Sequence, residues 1–151
     1  MPCGRYYEEF ELGAVYKHWP GRTIADYDNT WFALLSMNQH PLYIDEHYAR
    51  KHAAGRRPVL DTLIFSLVVG ITVADTSGRA IANLGFESVV FERPLYVGDS
   101  LYAESEVFDK RESASKTDRG VVGIETRGFN QQGERVIVLR RRFLAPKQTP
   151  A

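Results

Sequence analysis

The sequence is poor in the residues that build disulfide frameworks and metal sites. Its single cysteine, Cys3, excludes an internal disulfide and is typical of a reducing compartment. The histidines His18, His47 and His52 have no spacing suited to zinc, so they are interpreted as surface or structural residues and no metal is expected. Because no phosphate loop or dinucleotide fingerprint is present, no redox cofactor is expected either.

The sequence also lacks an excess of charge of one sign and a long apolar run. Nineteen basic and nineteen acidic side chains cancel, which argues against nucleic acid or an anionic membrane as a partner. The longest apolar-rich stretch, residues 63–74, is interrupted by polar residues and is too short to span a bilayer. The N-terminal residues contain no apolar signal core. We therefore expect a cytoplasmic protein, and the length predicts one domain over residues 1–151.

The first half of the chain mainly predicts helices. A strand is predicted at residues 16–19, ended by Pro20-Gly21, and helices are predicted at residues 30–36, 46–52 and 59–74. The first helix should stop near Met37, because Pro41 pushes His40 toward an extended conformation. The third helix is apolar around nearly all of its circumference, which predicts burial on most sides.

The second half predicts strands. Four runs rich in Val, Ile, Phe and Tyr cover residues 80–91, 100–108, 121–129 and 135–144. The gaps between these runs carry turn residues, and each gap suits an antiparallel reversal. Alternation of apolar and polar side chains predicts that one face of the sheet is covered. A long apolar helix beside such a meander indicates an α+β arrangement in which the sheet wraps the helix.

The segment from Asn38 to Tyr43 collects side chains that are able to do chemistry. It places an amide (Asn38), an imidazole (His40) and a phenol (Tyr43) around the turn at Pro41. His40 is the only group among them whose ordinary pKa lies near neutrality, which makes it a candidate acid or base. A polar loop with one histidine is also common as plain surface, and this segment alone leaves that alternative open.

Three segments of the chain carry a recognisable pattern: the loop at residues 31–45, the helix start at residues 57–63, and the turn and strand at residues 91–107. Together they resemble the MaoC-type hydratase/dehydratase family of the hot-dog fold, which includes (R)-specific 2-enoyl-CoA hydratases. Within the family, the chain is most similar to the group acting on mesaconyl- or itaconyl-type CoA esters. The resemblance implies a homodimer or dimer of dimers, with the acyl-CoA substrate between protomers and no other cofactor.

The loop departs from the family pattern at two positions. The family's usual Asp corresponds to Asn38, and its usual His corresponds to Tyr43. A neutral amide does not take up a proton near neutral pH, and a phenol donates a proton more readily than it accepts one. We therefore expect His40 to activate the water, with Asn38 and Tyr43 placing it. The resemblance also implies that the backbone around Thr62 stabilises the enolate oxygen at a helix start.

Further candidates have structural alternatives. Asp61 either orients His40 as a carboxylate partner or simply caps the helix. Arg56 and Arg57 either bind a CoA phosphate or a substrate carboxylate, or remain solvated in a Gly/Pro turn. Asn83 corresponds to the family strand that lines the acyl pocket, which makes it a candidate for substrate binding.

The sequence and the resemblance together predict a hydratase or dehydratase, a carbon–oxygen lyase, for a short branched or dicarboxylic 2-enoyl-CoA. An acyl-CoA thioesterase is an alternative, because Asp61 places a carboxylate near the helix. A non-catalytic acyl-thioester-binding protein is another, because the usual Asp and His are replaced. The acyl group, the direction of flux and the choice between CoA and a carrier protein remain open at this point.

Overall fold

The computed structural model describes residues 3–148. The regular elements are β1 (Val15–Thr23), α1 (Asp26–Leu35), α2 (Pro41–Ile44), α3 (Glu46–His52), α4 (Asp61–Thr72), β2 (Ala82–Phe91), β3 (Ser100–Glu112), β4 (Arg119–Phe129) and β5 (Arg135–Pro146). Short 3-10 turns occupy Tyr7–Glu9 and Ser77–Arg79. Among the described residues, no helix combines the length and apolar content needed to cross a membrane.

The five strands form one antiparallel sheet in the order β1-β3-β4-β5-β2. The predicted reversal between β2 and β3 is wrong, because β2 pairs with β5 whereas β3 pairs with β1 and β4. The connection at residues 94–99 instead crosses to the other side of the sheet. It is held there by the Val59 N–H, which donates to the Leu95 carbonyl at 2.8 Å.

Helix α4 packs against the inner face of the sheet. Its buried residues are Leu63, Ile64, Val68 and Thr72, which recur at a spacing that keeps them on one side of a helix. The prediction that α4 is buried on most sides is wrong, since Ser66 is exposed and the remaining apolar side chains are only partly buried: Phe65, Leu67, Val69 and Ile71. A single chain therefore leaves an apolar side of this helix partly uncovered.

The predicted bounds differ from the structure where distant contacts intervene. Helix α3 occupies the predicted residues, and α1 ends just before Met37 as expected. Strand β1 is not ended by Pro20-Gly21, because a register shift between His18 and Arg22 absorbs these residues and pairing resumes with β3. Helix α4 is shorter than predicted, because the extended residues before it pair with the segment around Leu95.

A polar layer crosses the inner face of the sheet near the C-terminal end of α4. Ser105 and Arg141 each lie between apolar residues of their own strand that belong to two separate clusters, and Thr126 contacts Ser105 in the same layer. His18 joins this layer, with Nε2 2.8 Å from the Ser105 Oγ and Nδ1 2.9 Å from the Asp75 Oδ2. His18 is buried, so of the two predicted alternatives, surface or structural, the structural one is correct.

The order Asp75–His18–Ser105 reproduces the order of a hydrolytic triad, but not its accessibility. The Ser105 side chain is completely buried, and its Oγ lies 2.7 Å from the Thr126 Oγ1. Because no substrate reaches a hydroxyl enclosed in this way, the arrangement is a buried hydrogen-bond network that stabilises the core.

Arg141 is the cation of this layer. It is buried, and its Nη2 donates to the Thr72 Oγ1 at 2.9 Å and to the Ser77 Oγ at 2.8 Å. Burial lowers the pKa of the Arg141 guanidinium to about 10. The partial negative charge at the C-terminal end of α4 offsets part of this cost of burying the cation.

Strand β2 forms one edge of the sheet and is exposed along its whole length of 10 residues. The exposed side chains include five large apolar ones: Leu84, Phe86, Val89, Val90 and Phe91. A long apolar edge strand presents unpaired backbone groups, and proteins normally cover such an edge.

Candidate active site

The loop between α1 and α2 is shaped by its own short-range hydrogen bonds. Met37 adopts a left-handed conformation with φ 58°, and the Asn38 N–H donates to the Ala33 carbonyl at 2.9 Å, which terminates α1. The Asn38 Oδ1 then accepts the His40 backbone N–H at 3.1 Å. The Asn38 side chain therefore helps to hold the loop on which it lies.

The His40 side chain is engaged in the same way. Its Nδ1 accepts the Leu42 N–H at 3.2 Å, which caps α2. In the neutral ring the proton then resides on Nε2, so the free nitrogen is a hydrogen-bond donor. His40 can act as a base only if it releases Leu42. The role of His40 as the base therefore stays a prediction, and it requires that the Leu42 hydrogen bond first break.

Tyr43 and Asp61 lie within electrostatic reach of each other. Burial raises the pKa of the Tyr43 phenol, and the nearby Asp61 carboxylate raises it further. Loss of hydration raises the pKa of the Asp61 carboxyl as well. Tyr43 is therefore a protonated donor near neutral pH, placed beside a carboxylate whose affinity for a proton is increased.

Asp61 does not cap α4. The residue at the N-cap position is Leu60, and no side chain makes a capping hydrogen bond there. Within residues 3–148, the Asp61 carboxylate has no hydrogen-bond or ion-pair partner, and it is accessible to solvent. The capping alternative is therefore wrong, and Asp61 is a carboxylate that no other described group neutralises.

The start of α4 also offers unused backbone donors. The N–H groups of Leu63 and Ile64 both donate to the Leu60 carbonyl at 3.0 Å. Across the described chain, the N–H groups of Asp61 and Thr62 have no acceptor. Free N–H groups at a helix N-terminus, together with the helix dipole, suit an oxygen on which negative charge develops.

Asn29 connects the loop to the helix, and the sequence analysis missed it. Its Nδ2 donates to the Tyr43 carbonyl at 3.2 Å and to the Pro58 carbonyl at 3.0 Å, while its Oδ1 accepts the Leu60 N–H at 3.0 Å. Asn29 is completely buried. The only signal in the sequence is that a polar residue lies four positions before the buried Ala33, on the same side of α1.

The structure separates the roles of the two adjacent arginines. Arg57 is buried, forms an ion pair with Asp26, and has its Nε 3.6 Å from the Glu46 Oε2. The alternative of a solvated Arg57 is therefore wrong. Arg57 ties α1 and α3 to the segment before α4, which is a structural role that the sequence did not indicate.

Arg56 is accessible. Its Nη2 donates to the Asp99 Oδ1 at 3.0 Å, and its guanidinium lies 4.6 Å from the centre of the Tyr96 ring. Arg56 and Arg50 are lining residues of a groove of about 420 Å³ beside α3. Arg57 also lines this groove but is only 8% exposed, so Arg56 is the more accessible of the two predicted cations.

Asn83 lies away from the loop within one chain. Strand β2 runs antiparallel to α4, and the Phe86 ring is 4.8 Å from the ring of Phe65 in the second turn of the helix. Asn83 is three residues before Phe86 in β2, which places it about 10 Å further from Asp61 than Phe86 is. Within one chain, Asn38, His40 and Tyr43 lie together around Pro41, and Tyr43 is within electrostatic reach of Asp61 at the start of α4, whereas Asn83 lies apart from this group.

In the part of the chain that the structure describes, no group of three or more His, Cys, Asp or Glu side chains is arranged to hold a metal ion. The candidate site is therefore made of one free carboxylate, one phenol, one imidazole and unused backbone donors. Such a set can take a proton from water and stabilise a developing oxyanion.

Comparison with known proteins agrees with this description. The mesaconyl-CoA hydratase family model matches residues 2–151. The mesaconyl-CoA hydratase of Cereibacter sphaeroides is 35% identical over 149 residues, which are 99% of this chain and 43% of that protein. The chain thus spans less than half the length of this relative.

Two solved structures have the same fold. One, described as a MaoC domain protein dehydratase from Chloroflexus aurantiacus, has a TM-score of 0.91 and 32% identity, and the match covers 100% of this chain and 44% of that chain. The other, from Mycobacterium tuberculosis, has a double hot-dog fold, with a TM-score of 0.88, 22% identity, and coverage of 98% and 47%. The predicted α+β hot-dog fold is confirmed, and the chain belongs to the mesaconyl-CoA hydratase family.

Proposed function

We propose that the protein is a hydratase/dehydratase that adds water to, or removes it from, a short branched or dicarboxylic 2-enoyl-CoA of the mesaconyl-CoA type. Family membership and the name of the Cereibacter relative support this substrate class. The observation that carries the proposal is the start of α4, where the Asp61 carboxylate has no partner among the described residues and two backbone N–H groups have no acceptor, within electrostatic reach of the Tyr43 phenol.

In the proposed mechanism, the Asp61 carboxylate takes a proton from water while the water oxygen forms a bond to the β-carbon. The electrons of the double bond move to the thioester oxygen, which the N–H groups of Asp61 and Thr62 stabilise as an enolate. The Asp61 carboxylic acid then returns the proton to the α-carbon as the enolate collapses. Asn38, His40 and Tyr43 place the water through their polar groups. Dehydration is the reverse sequence.

A homodimer, either alone or as half of a dimer of dimers, is the proposed assembly. Strand β2 is an exposed apolar edge, and a second copy of β2 can satisfy its backbone groups. Full-length antiparallel pairing of the two strands, residues 82–91, places the partner's Asn83 opposite Val90. That end of β2 lies beside the start of α4, so pairing would bring Asn83 to the acyl end of the site of the other protomer.

The groove beside α3 is the proposed contact for CoA. Arg56 and Arg50 present guanidinium groups that pair well with a phosphate. CoA arrives as part of the substrate, and the proposal includes no other cofactor, metal or nucleic-acid partner. The free Cys3 and the balanced charge of the chain support a cytoplasmic location for this reaction.

The test is to incubate the purified protein with a panel of 2-enoyl-CoA esters, including mesaconyl-CoA and crotonyl-CoA, and to follow products by mass. A gain of one water without thiol release supports the proposal. Release of free CoA would instead identify a thioesterase, and binding without either change would identify an acyl-thioester-binding protein. Light scattering at micromolar concentration tests the assembly, since a fully active monomer would contradict the shared site.

A further inference from the structure

The mechanism above does not use Asn29, yet Asn29 is the side chain that joins the two halves of the candidate site. We propose that Asn29 is a positioning residue, which sets the separation between the loop carrying Tyr43 and the start of α4 carrying Asp61. This inference rests on the proposed function, because it assigns Asn29 a role in that reaction.

The hydrogen bonds of Asn29 suit an amide and no other side chain of its size. Both N–H groups of the amide are used, one by the Tyr43 carbonyl and one by the Pro58 carbonyl, and the oxygen accepts the Leu60 N–H. An Asp in this position would keep one oxygen for the Leu60 N–H but direct the other at two carbonyl oxygens. An apolar side chain would leave three buried backbone groups without a partner.

Apart from the Asn29 hydrogen bonds, apolar contacts hold this segment near α4: the partly buried Tyr43 and Ile44 pack against the core cluster that includes Leu63 and Ile64. Such contacts lack the directionality of hydrogen bonds. Helix α2 has 4 residues and none of them is buried. The contacts that Asn38 and His40 make are internal to the loop, and they do not reach α4. Asn29 lies on α1 and contacts both sides, so a change at Asn29 moves Tyr43 relative to Asp61. A displacement of about 1 Å in an active site can reduce turnover by about a hundredfold.

The chain offers a matched control for this residue. Asn130, in the turn between β4 and β5, is also buried, and its amide donates to the Glu134 Oε2 at 2.8 Å. Its oxygen accepts the Gln132 and Glu134 N–H groups at 3.0 and 2.9 Å. Asn29→Asp and Asn130→Asp therefore remove the same amide N–H groups from two hydrogen-bond networks, and only the Asn29 network connects the candidate site.

Steady-state kinetics of the two variants, measured well below their unfolding temperatures, test the proposal. We expect Asn29→Asp to lower kcat by about ten- to a hundredfold with little change in KM. We expect Asn130→Asp to lower the unfolding midpoint and leave kcat unchanged. The ratio of the Asn29→Asp kcat to the wild-type kcat should rise as the pH falls, because the introduced carboxyl group regains an O–H donor when it is protonated. An Asn29→Asp enzyme with normal kcat at every pH would overturn the proposal.

Hydrogen exchange separates this proposal from the proposed function. In Asn29→Asp, and in Asn29→Ser should the first variant not fold, backbone exchange should increase together in residues 38–45 and 58–64. In Asn130→Asp the increase should be confined to residues 129–135. If the wild-type protein hydrates no enoyl-CoA, the proposed function fails while the exchange result still decides the role of Asn29. Unchanged exchange in both segments would refute that role whatever the substrate.

Discussion

Polar residues lie at both ends of α4, but they are hydrogen-bonded at one end and have no partners among the described residues at the other. At the C-terminal end, Asp75 pairs with His18, and the buried polar groups continue through Ser105 and Thr126 with a hydrogen bond at each step. At the N-terminal end, Asp61 has no partner in the described chain, and two backbone N–H groups have no acceptor.

This difference separates stability from chemistry. Polar groups that satisfy one another are available for nothing else, and they stabilise the core by avoiding unpaired buried atoms. Polar groups left without protein partners bind water or substrate instead, and a carboxylate kept in that state is a candidate catalytic group. The C-terminal end of α4 shows how the fold accommodates a polar layer, and the N-terminal end shows where a reaction can take place.

Removal of the free carboxylate is the sharpest test of this comparison. Asp61→Asn should lower turnover by a factor of about 10² or more, since that is what a positioned acid or base contributes. The raised pKa of Asp61 means that the folded state binds its proton more tightly than the unfolded state does, so ionisation at neutral pH opposes folding. Asp61→Asn should therefore unfold at the same temperature as the wild type or slightly higher. Turnover of the wild type should fall as the pH drops through the raised pKa.

The matching variants are Asp75→Asn at the other end of α4 and His40→Ala in the loop. Asp75→Asn should retain turnover and lower the unfolding temperature, because it weakens the contact with His18. Loss of turnover in His40→Ala with normal turnover in Asp61→Asn would show that His40 is the base after all.

Disruption of the buried network should have the converse result. His18→Ala leaves a cavity and removes the partner of Ser105, so we expect the free energy of unfolding to fall by about 2–5 kcal/mol. Turnover per folded molecule should stay within a factor of about two, because the network lies at the far end of α4 from Asp61. Urea unfolding followed by fluorescence gives the first quantity, and kinetics on the folded fraction gives the second. A large loss of turnover would mean that the two ends are coupled.

Charge reversal at the adjacent arginines should distinguish a ligand contact from a structural one. Arg56→Glu should raise the apparent KM for the CoA ester about tenfold with kcat unchanged, since a remote contact contributes uniform binding. Arg57→Glu should instead lower the unfolding temperature, because it places a carboxylate beside Asp26 and Glu46. Equal effects of the two variants on KM would contradict this division.

The smallest expected effect concerns the buried cation. Arg141→Met should change the free energy of unfolding by less than about 1 kcal/mol or stabilise the protein, because a buried charge without a carboxylate gains little over an apolar side chain of similar volume. Burial that lowers the pKa of Arg141 means that its charge opposes folding below pH 10, and this cost disappears in the variant. A loss of several kcal/mol in chemical unfolding would show that the contacts to Thr72 and Ser77 are essential.

Sequence patterns predicted the elements whose cause is local. Helix α3 has the predicted bounds because its signals lie within it or next to it: the Asp45 side chain accepts the Tyr48 N–H, and Arg50 pairs with Glu46 one turn away. The β-branched and aromatic runs gave the strands of the second half in the same way. The proximity of Asn38, His40 and Tyr43 around Pro41 also follows directly from their positions in the chain.

The features that sequence reasoning missed depend on residues far apart in the chain. Nothing near Asn29 distinguishes it from any polar helix residue, and its role appears only because Leu60, 31 residues later, donates to it. Arg56 and Arg57 are neighbours with the same chemistry, and the partners that bury one and leave the other accessible come from α1 and α3. The crossing between β2 and β3 was missed because the order of strands in a sheet depends on which strands pair, and the sequence of one strand does not determine its partner.

The sequence by itself determined the periodicity of the helices and strands, the turn at Pro41 and the types of chemical group in the loop. These properties arise from dihedral preferences and from hydrogen bonds between residues a few positions apart. Only the tertiary structure decided which polar groups find partners. Ser105 meets His18 across 87 positions of sequence, whereas Asp61 meets no partner in residues 3–148. Burial and pairing are properties of surfaces that come together on folding, and for this reason they separate the structural end of α4 from the end that is free to react.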